Sequence, residues 1–326
     1  MNYDLSVDLF RNFNLDVIDV VPVRNVFVLF TNKGKKILKK IDYSLEELEF
    51  IYSAITYIKR SFPRVMDYVS TMDGEIYTIW NGEVYCILDL IEGRECEFSN
   101  PLDICIAAKG LGQLHNAGEG FRYESKEKNI TGRCVDIFTR RLDEMRFFKS
   151  LAQMHEIKNA FDKIFLANVD YYIDEMQESI QALNRSSYLK LCSEEDKKVI
   201  CHNDLAHHNI IVNNEEAYFV DFDYSVINLK VNDLSNFINK AIKNYGFDID
   251  KAKGILDCYC SYNSLDKREK EVLWALLKFP EDFYSIARDY YSRRKEWEES
   301  VFLDRLTKKV GFKEDREEFL AGSILV

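Results

Sequence analysis

Hydrophobic and polar positions along the chain follow two regimes. Up to about residue 90 the apolar residues come in short runs broken by turn formers. Asn25 to Thr31 and Lys35 to Lys39 are separated by Asn32-Lys33-Gly34, and Glu75 to Trp80 and Val84 to Leu90 flank Asn81-Gly82. Such runs predict β-hairpins, with Asn-Gly a strong tight-turn signal. Between them Leu45, Leu48, Ile51, Tyr52 and Ile55 recur at helical spacing and predict one helix over 45–60. Residues 1–19 read as a short helix or loop lead-in. After Pro101 the pattern turns helical. It predicts a helix over 104–115 stopped by Asn116 and Gly118, amphipathic helices over 133–151 and 156–183, and another over 231–243. From Lys251 onward helices alternate with short turns and end in a charged helix over 293–309. The expected class is α+β: a small, mainly antiparallel β unit with one main helix over residues 1–92, and a larger helical unit over 93–326. The DLIEG stretch, 89–93, reads as the hinge between them.

One stretch departs from the helical regime. Residues 199–225, VICHNDLAHHNIIVNNEEAYFVDFDYS, predict a strand end, a polar loop and a hairpin whose second strand, Tyr218 to Val220, ends on a carboxylate. His202, Asp204 and Asn209 precede the hairpin, and Asp221 and Asp223 follow it. Because a hairpin returns the chain to its starting end, Asn209 and Asp221 should face each other. An amide oxygen and a carboxylate converging there suit Mg²⁺, a hard cation that takes oxygen ligands. Asp204 is then free to accept a proton from an attacking hydroxyl. The spacing H-x-D-x-x-x-x-N, followed by a hairpin and Asp-Phe, is the layout used for phosphoryl transfer from ATP. Turn chemistry explains any one of these residues, but not the whole set at this spacing. Asp223 stands where protein kinases have Gly, and there is no A-P-E segment, so a movable activation loop is not indicated.

CHNDLAHHN with VDFDYS resembles the aminoglycoside phosphotransferase and choline kinase superfamily, a branch of the protein-kinase-like fold. GKKILKKI, AAKGLGQLHNAGEGF, VNDLSNFINKAIK and LLKFPEDFYSIARDYY extend the resemblance, over most of the chain, to the CotS family of spore-coat kinase-like proteins of spore-forming bacteria. It implies a two-lobed kinase-like fold using ATP and Mg²⁺ to phosphorylate a hydroxyl of a small molecule or glycan. It also implies synthesis in the mother-cell cytoplasm, a place in the spore coat, and other coat proteins as partners. In this reading Asp204 is the base, Asn209 and Asp221 hold Mg²⁺, and Lys39 meets the α- and β-phosphates; a solvated lysine-rich edge is the plain alternative for Lys39. Glu46, Glu47 and Glu49 are candidates to pair with Lys39, and Glu49 is chosen. Backbone groups around Asp89 to Ile91 would meet the adenine. His202 and Asp233 are expected to brace the catalytic loop, Asp233 also capping a helix, and His115 to be structural, packed near that loop. The resemblance has a gap: VVPVRNVF, where a Gly-rich phosphate loop belongs, has no glycine. That gap supports a second function, a kinase-fold coat component whose site holds nucleotide or is vestigial.

Composition trims these options. The 326 residues, 47% hydrophobic and 13% aromatic, indicate packed globular structure. A net charge of −11 argues against a nucleic-acid partner, which clustered Lys and Arg would serve. No run approaches the ~20 apolar residues of a membrane span, and Asp16 and Asp19 interrupt the first thirty residues, so no signal peptide or membrane partner is expected. Eight cysteines without a C-x-x-C pair, and five histidines, predict buried reduced thiols rather than a structural metal. Phe279, Phe283, Tyr284, Tyr290 and Tyr291 recur near helical spacing and read as core or as the wall of an acidic, aromatic-rich acceptor pocket. Arg140, Arg141 and Arg185 read as solvated charges.

Overall fold

A five-stranded antiparallel sheet, in the order β1-β2-β3-β5-β4, forms the N-terminal part. Its strands are β1 (Val17–Val23), β2 (Val26–Thr31), β3 (Gly34–Ile41), β4 (Thr78–Trp80) and β5 (Glu83–Asp89). The computed structural model describes residues 5–322, so the first and last residues of the expected units lie outside it. The Asn81-Gly82 hairpin forms as predicted, both residues taking the positive φ that a tight turn needs. The glycine-free stretch is a correction. Val20 to Val23 is not a loop but the end of β1, paired with β2 across a tight turn at Arg24 and Asn25, with Arg24 at φ 52°.

One face of this sheet buries Leu29, Leu38, Tyr85 and Ile87 under Leu9, Phe10 and Phe13, which come from and around the short helix α1 (Val7–Arg11). The other face carries α2 (Leu45–Lys59), started by a capping box between Ser44 and Glu47. Leu48, Ile51, Ile55 and Ile58 make its buried stripe. These residues belong to one apolar core that runs on without a break into the helical part, across the expected boundary at residue 92.

The helical part comprises α3 (Pro101–Gly118), α4 (Cys134–Met154), α5 (Ala160–Arg185), α6 (Tyr188–Ser193), α7 (Lys230–Ile242), α8 (Ile249–Cys260), α9 (Lys267–Leu277), α10 (Glu281–Tyr291), α11 (Glu299–Gly311) and α12 (Lys313–Ala321). The charged helix expected over 293–309 as the last element is α11, which begins at Glu299 rather than Arg293 and is followed by α12. Two small sheets are set among these helices. One holds β6 (Arg94–Glu95), β8 (Ile210–Asn213) and β9 (Glu216–Phe219); the other pairs β7 (Lys198–Cys201) with β10 (Val226–Leu229).

Helix α3 lies directly against both sheets, and its glycines are the reason. A Cβ on Gly110 would stand 2.8 Å from the Ala217 Cβ on β9, and one on Gly118 would stand 3.0 Å from the Ile200 amide nitrogen on β7. Only glycine lets the helix axis come this close. Cys105 of α3 and Cys258 of α8 form a disulfide, their Cα atoms 5.4 Å apart. This corrects the expectation that all the cysteines are reduced: two helices far apart in sequence pack side by side, which spacing along the chain does not reveal. Cys86, Cys96, Cys134, Cys192 and Cys201 are buried thiols, and Cys260 is exposed. No helix among the described residues is long and apolar enough to cross a membrane.

Candidate active site

The hairpin β8–β9 turns through Asn214 and Glu215, both at positive φ, in register Ile210 with Phe219. The Val220 amide donates to the Asn209 carbonyl at 3.0 Å, so the residues on either side of the hairpin, Asn209 and Asp221, are held at one end. Asn209 is buried and donates its side-chain amide to the Asp204 carbonyl and to its carboxylate Oδ2, each at 3.0 Å. With both donations spent on Asp204, the Asn209 side-chain oxygen remains the group able to meet a cation.

Backbone strain marks both loops. Asn203 and Asp221 take left-handed conformations at φ 63° and 64°. Asn and Asp tolerate this region better than other non-glycine residues, but at a cost that the surroundings must offset. Around Asn203 the offset is Asp233, fully buried on α7, whose carboxylate accepts the His202 amide at 2.5 Å, the Asn203 amide at 2.7 Å and His115 Nε2 at 3.2 Å. His115 in turn meets the Tyr259 hydroxyl at 2.7 Å. Asp233 therefore braces the loop as expected, but it makes no capping bond to α7. His202 Nε2 donates to the Val220 carbonyl at 2.9 Å while its Nδ1 accepts the Asp204 amide at 3.3 Å, linking the loop before the hairpin to the strand that leads to Asp221. Asp233, His115 and Cys201 converge in the core, where both ring nitrogens of His115 and the Asp233 carboxylate are engaged in these hydrogen bonds.

Lys39 reaches across from β3 to the hairpin. Its ammonium lies 2.6 Å from Asp221 and 2.5 Å from Asp223. Burial pushes the Lys39 pKa down, but the two carboxylates outweigh it and hold the value above that of an ordinary lysine. Burial pushes Asp223 up, and Lys39 and a 3.0 Å hydrogen bond from the Tyr43 hydroxyl only partly offset this. Glu49 is not among the Lys39 partners and is exposed. The register of α2 explains the correction. With Leu48 and Ile51 inward, Glu49 turns out toward Gly74 and Glu75, while the half-buried Glu47 meets Lys128 at 3.2 Å. Lys128 also donates to the Asp223 carbonyl at 3.2 Å, so α2 is tied to the site through Lys128 instead of Lys39.

At the expected hinge, Asp89 donates its amide to the Asp67 carbonyl at 2.9 Å, and its side chain pairs with Lys36. Ile91 is half-buried and packs against the main core. Asp204 itself is half-buried, and the ammonium of Lys240 on α7 contacts its carboxylate. Burial pushes the Asp204 pKa up, but Lys240, with His202 and His208, outweighs it and keeps the carboxyl below its ordinary range. Lys240 and the Lys39–Asp223 pair are the members that sequence reasoning missed. Lys240 lies seven residues after Asp233, on the same helix, and only the placement of that helix reveals it.

The chain matches, over residues 7–323, the family model described as "Spore coat putative kinase YutH". It belongs to this family. Among curated proteins it is similar to spore coat protein S of Bacillus subtilis (22% identical, covering 91% of this chain and 86% of that protein). It is likewise similar to the endospore coat-associated protein YutH of the same organism (24%, 81% and 76%). Among solved structures it is similar to an aminoglycoside phosphotransferase from Alicyclobacillus acidocaldarius (TM-score 0.86, 19% identity, 98% and 96% of the chains). It is also similar to spectinomycin phosphotransferase in complex with ADP and spectinomycin (TM-score 0.68, 16%, 96% and 95%) and to an amicoumacin kinase in complex with AMP-PNP and Ca²⁺ (TM-score 0.64, 16%, 97% and 94%). The fold of this spore-coat family member is therefore protein-kinase-like, with the antiparallel sheet and helical remainder that the alternation of patterns predicted.

Proposed function

We propose that this protein transfers the γ-phosphoryl group of ATP to a hydroxyl of a small molecule or glycan at the spore coat. One observation carries the reading: Asp204, Asn209, Asp221 and Lys39, drawn from three separated segments, meet at one end of the β8–β9 hairpin. The oxygen donor set of Asn209 and Asp221 fits a hard divalent cation, and kinases of this fold solved with nucleotide and, in one case, Ca²⁺ support that fit. When bound, the cation would neutralise phosphate charge as it develops. Asp204 orients the acceptor hydroxyl and takes its proton. The hydroxyl oxygen bonds to the γ-phosphorus as the bond to the β,γ-bridging oxygen breaks, and ADP leaves with that electron pair. Lys39 holds the α- and β-phosphates, and Asp223 keeps Lys39 in place once Asp221 turns to the metal. Asp89 and Ile91 frame the adenine through main-chain groups. Phosphoryl transfer depends mainly on positioning and charge, so few side chains suffice.

The test is a thermal melt of the full chain with ATP, with and without Mg²⁺, beside Asp221→Ala. At ligand concentrations of ~100 times Kd, binding adds about 2.7 kcal/mol to the folded state. A Mg²⁺-dependent rise in Tm that the variant loses is expected. No rise at millimolar ATP would remove the kinase reading and leave a structural coat component.

A further inference from the structure

The face of α7 turned away from the core is a polar stripe. Asn232, Asn236, Asn239, Lys240 and Lys243 stand at the helical positions i, i+4, i+7, i+8 and i+11, while Val231, Leu234, Phe237 and Ile238 fill the buried side. The stripe lines a cleft of ≈ 420 Å³ beside the catalytic loop, and Asn203 and Asn228 line it too. Side-chain amides both donate and accept hydrogen bonds, which suits a ligand bearing many hydroxyl groups.

Charge narrows the ligand further. Arg141 (paired with Glu281), Lys240 (with Asp204), Lys243 (with Asp282) and Arg316 (with Glu175) line this cleft, and the carboxylates that line it are Glu281 and Asp282. Both are already neutralised, Glu281 by Arg141 and Asp282 by Lys309 at 2.9 Å and Lys243 at 3.6 Å. Past Lys243, Asp282 and Ser285 the cleft continues into a groove of ≈ 510 Å³ lined by Arg305, Lys308 and Trp297. Arg305 lies 3.9 Å over the Trp297 ring and Lys308 5.9 Å from that of Phe312; among the described residues neither forms a salt bridge. In a chain of net charge −11, Arg305 and Lys308 are thus the cations of this cleft and groove that no carboxylate holds among the described residues, while Asp289, also in the groove, is held by Arg288. Of the expected acidic, aromatic-rich wall, Phe279 lines the cleft with Phe138 and Phe247, and its carboxylates are the ion-paired Glu281 and Asp282, while Phe283 and Tyr284 are buried in the core. A cationic acceptor would meet no unpaired carboxylate.

We propose that the acceptor is an acidic carbohydrate, its reacting hydroxyl held over the asparagine stripe next to Asp204 and its carboxylate or phosphate groups met by Lys243, Arg305 and Lys308 along the groove. Its phosphorylation rests on the kinase reading, with the bond changes given above; its binding rests on the cleft alone.

Calorimetry on the full chain, with and without Mg²⁺–ADP, separates the two. Three probes of similar size serve: a galacturonate trimer, a neutral glucose trimer and kanamycin as a cationic polyol. The uronate trimer is expected to bind at least about tenfold more tightly than the neutral one. That preference should shrink as salt screens it, and the double variant Arg305→Glu, Lys308→Glu should reverse it; both positions are exposed, so the variant should fold. Trimer binding without binding of free galacturonate assigns a glycan chain, and equal binding assigns a free acidic sugar. Kanamycin binding as tightly as the uronate, or no carbohydrate binding at millimolar concentration, overturns the proposal. Uronate binding in a protein whose Tm does not respond to Mg²⁺–ATP would keep the acceptor site and remove the kinase reading.

Discussion

The catalytic loop and the acceptor cleft lie side by side but are built in opposite ways. The loop and its hairpin occupy residues 199–225 in one continuous stretch, held by main-chain bonds and by one buried carboxylate, Asp233. The cleft is assembled from α4, α7 and the adjoining α9 and α10, three regions far apart in sequence, and its surface is largely side chains on helix faces. The loop's function depends on positions within tenths of an ångström, so it is rigidly braced. The cleft's function depends on which side chains a helix presents, so it can change acceptor without disturbing the chemistry.

Asp204→Asn strikes the loop at its centre and should have the largest effect. Removing a general base of this kind is expected to lower turnover by ~10²–10⁴-fold while the Mg²⁺–ATP melting response persists. Turnover and nucleotide binding measured on the same preparation decide it. Retained turnover would mean that the rigid stretch is not where the chemistry lies.

Asp233→Ala tests the bracing itself. It strands the buried His202 amide, the part-buried Asn203 amide and His115, and should cost about 3 kcal/mol in equilibrium unfolding. A cost below ~1 kcal/mol would show that the loop holds its strained shape unaided. Asp223→Asn is a smaller perturbation at the edge of the site. It leaves Lys39 with Asp221 alone, which must also serve the metal, and should raise the KM for ATP by about tenfold with a lesser change in kcat.

Asp266→Ala works from the cleft side. Asp266 caps α9, whose Leu276 lines the cleft, by accepting the Glu269 amide at 2.9 Å. Losing that cap should cost ~1 kcal/mol. The pH dependence carries a sign. Burial pushes the Asp266 pKa up, but the Glu269 amide, Lys197 and Arg268 outweigh it and lower it from 3.8 to about 2. Its contribution is therefore fully present above 3.8 and is lost as pH falls toward 2, a loss that the Ala variant should not show in acid unfolding. The subtlest change is Lys240→Met, at the seam between the two regions. Because Lys240 holds Asp204 below its ordinary range, the variant should move the acid limb of the pH–rate profile to higher pH; an unmoved limb would show that Lys240 belongs to the cleft alone.

Legibility in the sequence follows the same division. The hairpin and the positions of Asp204, Asn209 and Asp221 could be read because each depends on local spacing, a tight turn bringing its flanks together whatever the rest of the chain does, whereas Lys39 on β3 came from the family resemblance. Helix α2 was equally legible from its apolar period, yet its partner for Lys39 was not. Rotation of that helix by its own buried stripe turns Glu49 outward and leaves Asp223 as the second anion beside Lys39. The aromatic residues of α10 had the right spacing for a pocket wall or for core, and period alone cannot separate the two.

By itself the sequence determined the β-then-helix order, the turns, the H-x-D-x-x-x-x-N string and the helix over 231–243, since all of these follow from residues near one another in the chain. Tertiary structure alone decided that Lys39 bridges two aspartates, that Lys240 contacts Asp204, that Cys105 meets Cys258, and that Lys243 shares one groove with Arg305 and Lys308. These are meetings between residues tens to hundreds of positions apart, and what sets them is how helices rotate and pack to bury their apolar faces.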